Sequence, residues 1–138
     1  MSLAEISRKF IGMPYRLGVV DCFSSILLYM EERGATIPAE FMGVSRADYA
    51  AMFQSNPEEA KALMVRFMDS MFPSVEPPFA FAGDILLLRL VRSDKPAFLG
   101  IDGGNGNIIA AAESRGICVL HLKNYTIERA WRCRQHSL

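Results

Sequence analysis

The residues best equipped for chemistry are the adjacent pair Asp21-Cys22 at the start of a helix-patterned segment, with Phe23, Ile26, Leu27 and Met30 at i, i+3, i+4 and i+7. A thiol in the first turn of a helix sits at the positive end of the backbone dipole, which favours thiolate and turns a weak acid into a nucleophile. A cysteine hydrolase also needs a general base to move protons to and from that sulfur. The chain has two histidines, His121 and His136. Neither stands where such a base is expected: His121 lies on a strand-patterned run beside Ile117 and Val119, and His136 lies in the last three residues. The pattern presents a nucleophile in search of its base.

The elements that must hold this pair fall into two halves. Residues 3–11 form a short amphipathic segment ending at Gly12 and Pro14, and residues 22–33 form the central helix, with Asp21 as N-cap and Gly34 as the residue past its end. Ser45 and Asp48 resemble a capping box for a helix over roughly 46–54, and Asn56-Pro57-Glu58-Glu59 opens another that keeps helical spacing through Met64, Met68 and Met71. After Pro77-Pro78 the pattern becomes strand-like. The run Ile85 to Leu90 suits a strand buried on both faces, and Gly103-Gly104-Asn105-Gly106 supplies a hairpin turn between 97–102 and 107–112. Segments 116–122 and 127–134 complete an expected five-stranded antiparallel meander. Helices followed by strands predict an α+β domain.

Composition narrows the function classes. The 138 residues include 15 basic and 15 acidic side chains, so neither nucleic acid nor an anionic membrane surface is an expected partner. No run of about 18 apolar residues suggests a membrane span, and Met1 to Lys9 lacks the pattern of a secretory signal, which predicts a cytoplasmic or particle-associated protein. Three cysteines, Cys22, Cys118 and Cys133, predict reduced thiols rather than a disulfide framework. There is no metal-ligand spacing and no phosphate-cradling glycine loop, so no metal or other cofactor is expected.

The order of short helix, Gly12-Met13-Pro14-Tyr15, Asp21-Cys22 opening a long helix, Gly34, Ile37-Pro38, Gly83-Asp84-Ile85-Leu86 and a glycine hairpin resembles the NlpC-type peptidases. These are papain-like cysteine peptidases that cut bacterial cell-wall peptides. The resemblance runs from about Ile6 to Arg134 and leaves 41–76 as a helical insertion in a single domain spanning 1–138. Asp-Cys-Phe, and a helix ending in Glu31-Glu32-Arg33-Gly34, look more like the phage tail-associated branch than the secreted one. The implied fold is papain-like, with N-terminal helices packed on a five- to six-stranded antiparallel sheet.

By that resemblance Cys22 matches the nucleophile, Asp21 the acidic residue beside it, and Tyr15 a tyrosine lining the substrate cleft. The match fails at the two polar partners: Phe98 stands at the histidine that acts as base, and Ala110 at the following polar position. The resemblance therefore implies a degenerate peptidase domain that serves as a binding or phage or prophage assembly module, with cell-wall peptide or phage tail proteins as partners. The alternative is an active cell-wall peptide hydrolase using Cys22 with a substitute base such as His121, or a carboxylate such as Asp102 or Glu113. A single-turnover or redox role for Cys22 is a third reading. Structural readings stand beside these: Cys22 as a small buried hydrophobe, Asp21 as a helix cap, Tyr15 as a packed aromatic, the methionines as core, and Arg129, Arg132 and Arg134 as the solvated side of a last strand.

Overall fold

The computed structural model describes residues 3–15, 21–112 and 114–133. Arg16 to Val20, Glu113, Arg134 and His136 lie outside the described residues. The helices are α1 (Leu3–Phe10), α2 (Cys22–Glu32), α3 (Arg46–Ser55) and α4 (Pro57–Met71); the strands are β1 (Glu40–Phe41), β2 (Val44–Ser45), β3 (Ser74–Val75), β4 (Ile85–Leu90), β5 (Phe98–Gly104), β6 (Asn107–Ala112), β7 (Gly116–His121) and β8 (Tyr125–Trp131).

Local signals place the helix ends. Asp21 Oδ1 accepts from the Ser24 N–H at 2.7 Å, Ser45 Oγ from the Asp48 N–H at 3.2 Å, and Asn56 Oδ1 from the Glu59 N–H at 3.3 Å. Each side-chain oxygen satisfies an amide that the first helical turn leaves without a partner. Helix α2 ends at Gly34, whose φ of 90° is open to glycine and strained for other residues.

The strands form an antiparallel six-stranded sheet in the order β3-β8-β4-β5-β6-β7, and β1 pairs with β2 in a separate hairpin. The expected meander holds for β4 through β7. It breaks at β8, which returns across the sheet to pair with β4, with Leu86 opposite Ala130. That return leaves β4 a central strand, and Ile85 to Leu88 are all at most 1% exposed. A strand enclosed laterally and on both faces needs the apolar run the sequence supplies.

The two sheet faces build separate clusters. Ile85, Leu87, Leu99, Ile101, Ile109, Ala111, Ile117 and Trp131 pack toward α2, α3 and α4, meeting Ile26, Leu27, Met30, Met64, Phe67 and Met68. Leu86, Leu88, Ile108, Ala110 and Ala130 form a smaller cluster on the opposite face, joined by half-buried Phe98, Tyr125 and Ile127. Met64 and Met68 thus belong to the core. Arg129 is paired with Asp69 at 2.7 Å and Arg132 with buried Asp84 at 3.1 Å. These two arginines pin β8 to its neighbours instead of forming a uniformly solvated stripe.

The approach to Cys22 is anchored at the β7 edge. The Gly12 N–H donates to the Ile117 carbonyl and the Ile117 N–H to the Met13 carbonyl, both at 2.8 Å. This close passage requires glycine at 116: a Cβ there would lie 2.1 Å from the Met13 carbonyl oxygen.

Candidate functional site

Cys22 is the first residue of α2 and is 9% exposed. It lies beside β5, outside the β5–β6 pairing that runs from Ile101↔Ile109 to Gly104↔Asn107. Burial pushes its thiol up from the ordinary 9.0 to about 11; backbone N–H groups of Leu99, Phe23 and Cys22 itself pull the other way, and the Asp21 carboxylate adds to the rise. The expectation of a thiolate from helix position alone is corrected by this environment. A helix end contributes of order 1 kcal/mol to a nearby charge, whereas removing an ion from water costs several times more. At neutral pH Cys22 is a thiol.

A residue from the region between 41 and 76 packs close to this site. Tyr49 of α3 is buried, and its ring centroid lies 4.3 Å from that of Phe23, the residue after Cys22. Burial, and then the charges of Cys22 and Asp21, push the Tyr49 phenol far above its ordinary range. Tyr49, Cys22 and Asp21 are therefore buried near enough to feel one another's charge, and tyrosine and cysteine both keep their protons. No feature of the Asp-Cys motif points to Tyr49. The available signal was its place with Met52 and Phe53 at i, i+3 and i+4 in a helix otherwise rich in polar and small residues, a stripe that must pack on something.

Asp21 is 5% exposed and caps α2. Tyr15 is half-buried and packs against the core beside Met13. Phe98 and Ala110, at the two matched histidine positions, both belong to the cluster on the sheet face away from α2. Phe98 meets Tyr125 edge-on at 5.4 Å between centroids. On β5 it is the backbone N–H of Leu99, one residue on, that faces the sulfur. Strand side chains alternate between faces, so Leu99 shares the cluster of α2 while Phe98 and Ala110, the expected base positions, turn away from the thiol.

His121 does not reach Cys22. Ile101 is level with Ile109, and Ile109 with Val119, so Leu99 is level with Ile117 and His121 sits four residues further on. That is about 13 Å along the strands and about 10 Å across them. Asp102 is buried with its carboxylate accepting from the Gly104 N–H at 2.8 Å in the hairpin turn, committed there rather than to Cys22.

Beside this region is an open, shallow apolar depression lined by α2, residues 37–41, β2, α3 and α4. Phe23 and Tyr49 are among its lining residues.

Comparison with known proteins gives two findings. A family model described as "Domain of unknown function (DUF6950)" matches residues 1–133. Among solved structures 14 chains match, including the crystal structure of the NlpC/p60 domain of the peptidoglycan hydrolase SagA, with a TM-score of 0.58 and 18% identity over 94% of this chain and 94% of that one. No curated protein matches. The structural likeness bears out the α+β, NlpC-like fold.

Proposed function

The chain belongs to the DUF6950 domain family, and on that premise we propose that it is an NlpC/p60-like domain that has given up peptide hydrolysis and acts as a binding or assembly module. The observation that carries this reading is the surroundings of Cys22: a buried, protonated thiol near buried Tyr49, with its neighbouring carboxylate acting as a helix cap. With no base placed at the thiol among the described residues, and no acid to return a proton to the leaving amine, amide cleavage loses the roughly 10²–10⁴-fold that each acid–base step supplies. Leu99, Ile109 and Ala111, which share the α2 face of β5 and β6, are apolar and support the same reading, whereas Phe98 and Ala110 face away from the thiol. Phe98 and Ala110 contribute to packing on the far sheet face, where a polar side chain would need a partner.

The Asp-Cys-Phe motif and the helix ending at Gly34 support placement with the phage tail-associated branch, and hence a role in a phage or prophage particle with tail proteins or cell-wall peptide as partners. The reading in which His121 supplies the base draws no support from the sheet register.

The test is digestion of purified peptidoglycan and synthetic stem peptides, with fragments quantified by mass spectrometry for the wild type and Cys22→Ala. Equal background release from both proteins is expected. Release that depends on Cys22 overturns the reading.

A further inference from the structure

We propose that the outer edge of β7 binds an extended acidic peptide, which adds to the sheet as a further strand. The inference deepens the binding half of the reading above, on which it rests, by naming the chemistry of the partner. Edge binding and Cys22-dependent hydrolysis are measured separately, so either can fail alone.

Register fixes which backbone groups are open. β7 ends the sheet and pairs with β6 from Gly116 to His121 without a register shift. The Ile117 N–H and carbonyl are both taken on the side away from β6, by the Met13 carbonyl and the Gly12 N–H. Backbone groups alternate sides along an antiparallel strand, so Val119 and His121 turn theirs outward as well. The next inward rung agrees with this phase, since the Leu122 N–H donates to the Gly106 carbonyl at 2.8 Å. Among the described residues no backbone group pairs with the outward N–H and C=O of Val119 or His121. These donors and acceptors continue the ladder that Gly12 and Met13 begin, and an extended backbone is the chemistry that matches them.

The two ends of the sheet are treated differently. At the far end β3 has 2 residues, and β8 beside it is tied to α4 by Arg129–Asp69 and Lys61–Glu128, both at 2.7 Å. Proteins commonly guard an edge with proline, lysine or a bulge, and β7 carries none of them. Val119 is instead 39% exposed on the face that holds Ile109 and Ile117. An apolar side chain on an added strand, opposite Val119, would cover it.

Charge selects the partner. The segments that meet at this edge, residues 8–15 and 114–124, hold Arg8, Lys9, Arg115 and Lys123 and no aspartate or glutamate. Lys9 is paired with Glu32; among the described residues Arg8, Arg115 and Lys123 have no ion pair. A second copy of the chain adding through its own β7 would bring the same cations against themselves, and like charges across a strand pair destabilise it. A strand carrying carboxylates meets attraction instead.

The experiment is an NMR titration of the full chain, following backbone amides, with three probes: acetyl-Glu-Val-Thr-Val-Glu-amide, its counterpart with lysine at both ends, and the acidic peptide N-methylated at its central residues. The acidic peptide is expected to bind saturably, shifting the Val119 and His121 amides and slowing their hydrogen exchange, about 10-fold tighter than the basic one. N-methylation should weaken binding by at least about 10-fold, because the peptide can no longer donate to the edge. Arg115→Gln combined with Lys123→Gln, both exposed, should bring the acidic and basic peptides within about 3-fold of each other. Val119→Pro removes an outward donor and should abolish binding; the N-methylated peptide tests the same bonds if that variant perturbs the fold. No saturable shift at Val119 and His121 up to about 5 mM acidic peptide, equal affinity for the acidic and basic peptides, or unchanged affinity after N-methylation would each overturn the proposal. Dimerisation of the free chain through β7 would assign the edge to a second copy and overturn it too.

Discussion

Removing the Tyr49 cover should change Cys22 from an inert thiol into a reactive one. With the thiol held at about 11, about one molecule in 1,000 carries the thiolate at pH 8; at the ordinary value of 9.0 the fraction would be about one in ten. Ionisation alone therefore suppresses alkylation about 100-fold, and 9% exposure of the residue slows reagent access further. Tyr49→Ala opens the pocket on the α3 side, and iodoacetamide labelling of Cys22, resolved by peptide mass spectrometry, should accelerate by about 10- to 100-fold with its titration midpoint moved below 11. Tyr49→Phe keeps the ring and removes the hydroxyl, so it should stay slow if covering, not hydrogen bonding, protects the sulfur. Truncating a buried aromatic costs about 3–5 kcal/mol, so Tyr49→Leu serves as the milder variant. Cys133, buried beneath Arg33 and Tyr29 on a different part of the core, is the internal control, and its labelling should remain slow in any folded variant. A wild-type Cys22 that labels like a free thiol with a midpoint at or below 9 would refute the reasoning, as would a folded Tyr49→Leu that labels no faster than wild type.

Three further outcomes are expected. Asp21→Ala should lower stability by about 1 kcal/mol in urea unfolding, because the Ser24 amide at the buried start of α2 loses its acceptor. Gly100→Ala should cost about 1–3 kcal/mol in the same assay, since the added Cβ would lie 2.7 Å from an Ile108 methyl and 3.1 Å from a Leu88 methyl. Burial raises Cys22 and Cys133 from 9.0 to about 11 and Tyr29 from 10.0 to about 12. Each favours the folded state in its protonated form, so their contribution is intact below about pH 9 and is lost as pH rises toward 12. Cys22 accounts for about 3 kcal/mol of that loss, and Cys22→Ala should make alkaline thermal unfolding less steep; an unchanged slope would count against the buried thiol.

Much of the fold was legible in local sequence because the forces involved act over a few residues. The N-caps Asp21, Ser45 and Asn56, the Gly34 ending, the Gly104-Asn105-Gly106 turn and the apolar run of β4 each depend on near neighbours or on a pattern within one segment. The helix boundaries accordingly fell within a residue or two of those expected. The return of β8 to β4 was not legible, since pairing between strands far apart in the chain depends on which edge remains open after the intervening hairpins have formed.

The candidate site divides along the same line. The sequence by itself determined that a cysteine opens a capped helix and that the chain follows an NlpC-like order of landmarks. Only the tertiary structure decided the state of that cysteine, because a thiol's ionisation depends on solvent access, and groups packed near it, such as Tyr49 and the Leu99 N–H, lie 27 and 77 residues further along the chain. It also decided that Leu99 and not Phe98 takes the α2 face of β5, and that His121 is out of reach. Strand phase and register fix both outcomes, and a shift of one residue would exchange the faces that apolar composition leaves nearly equivalent.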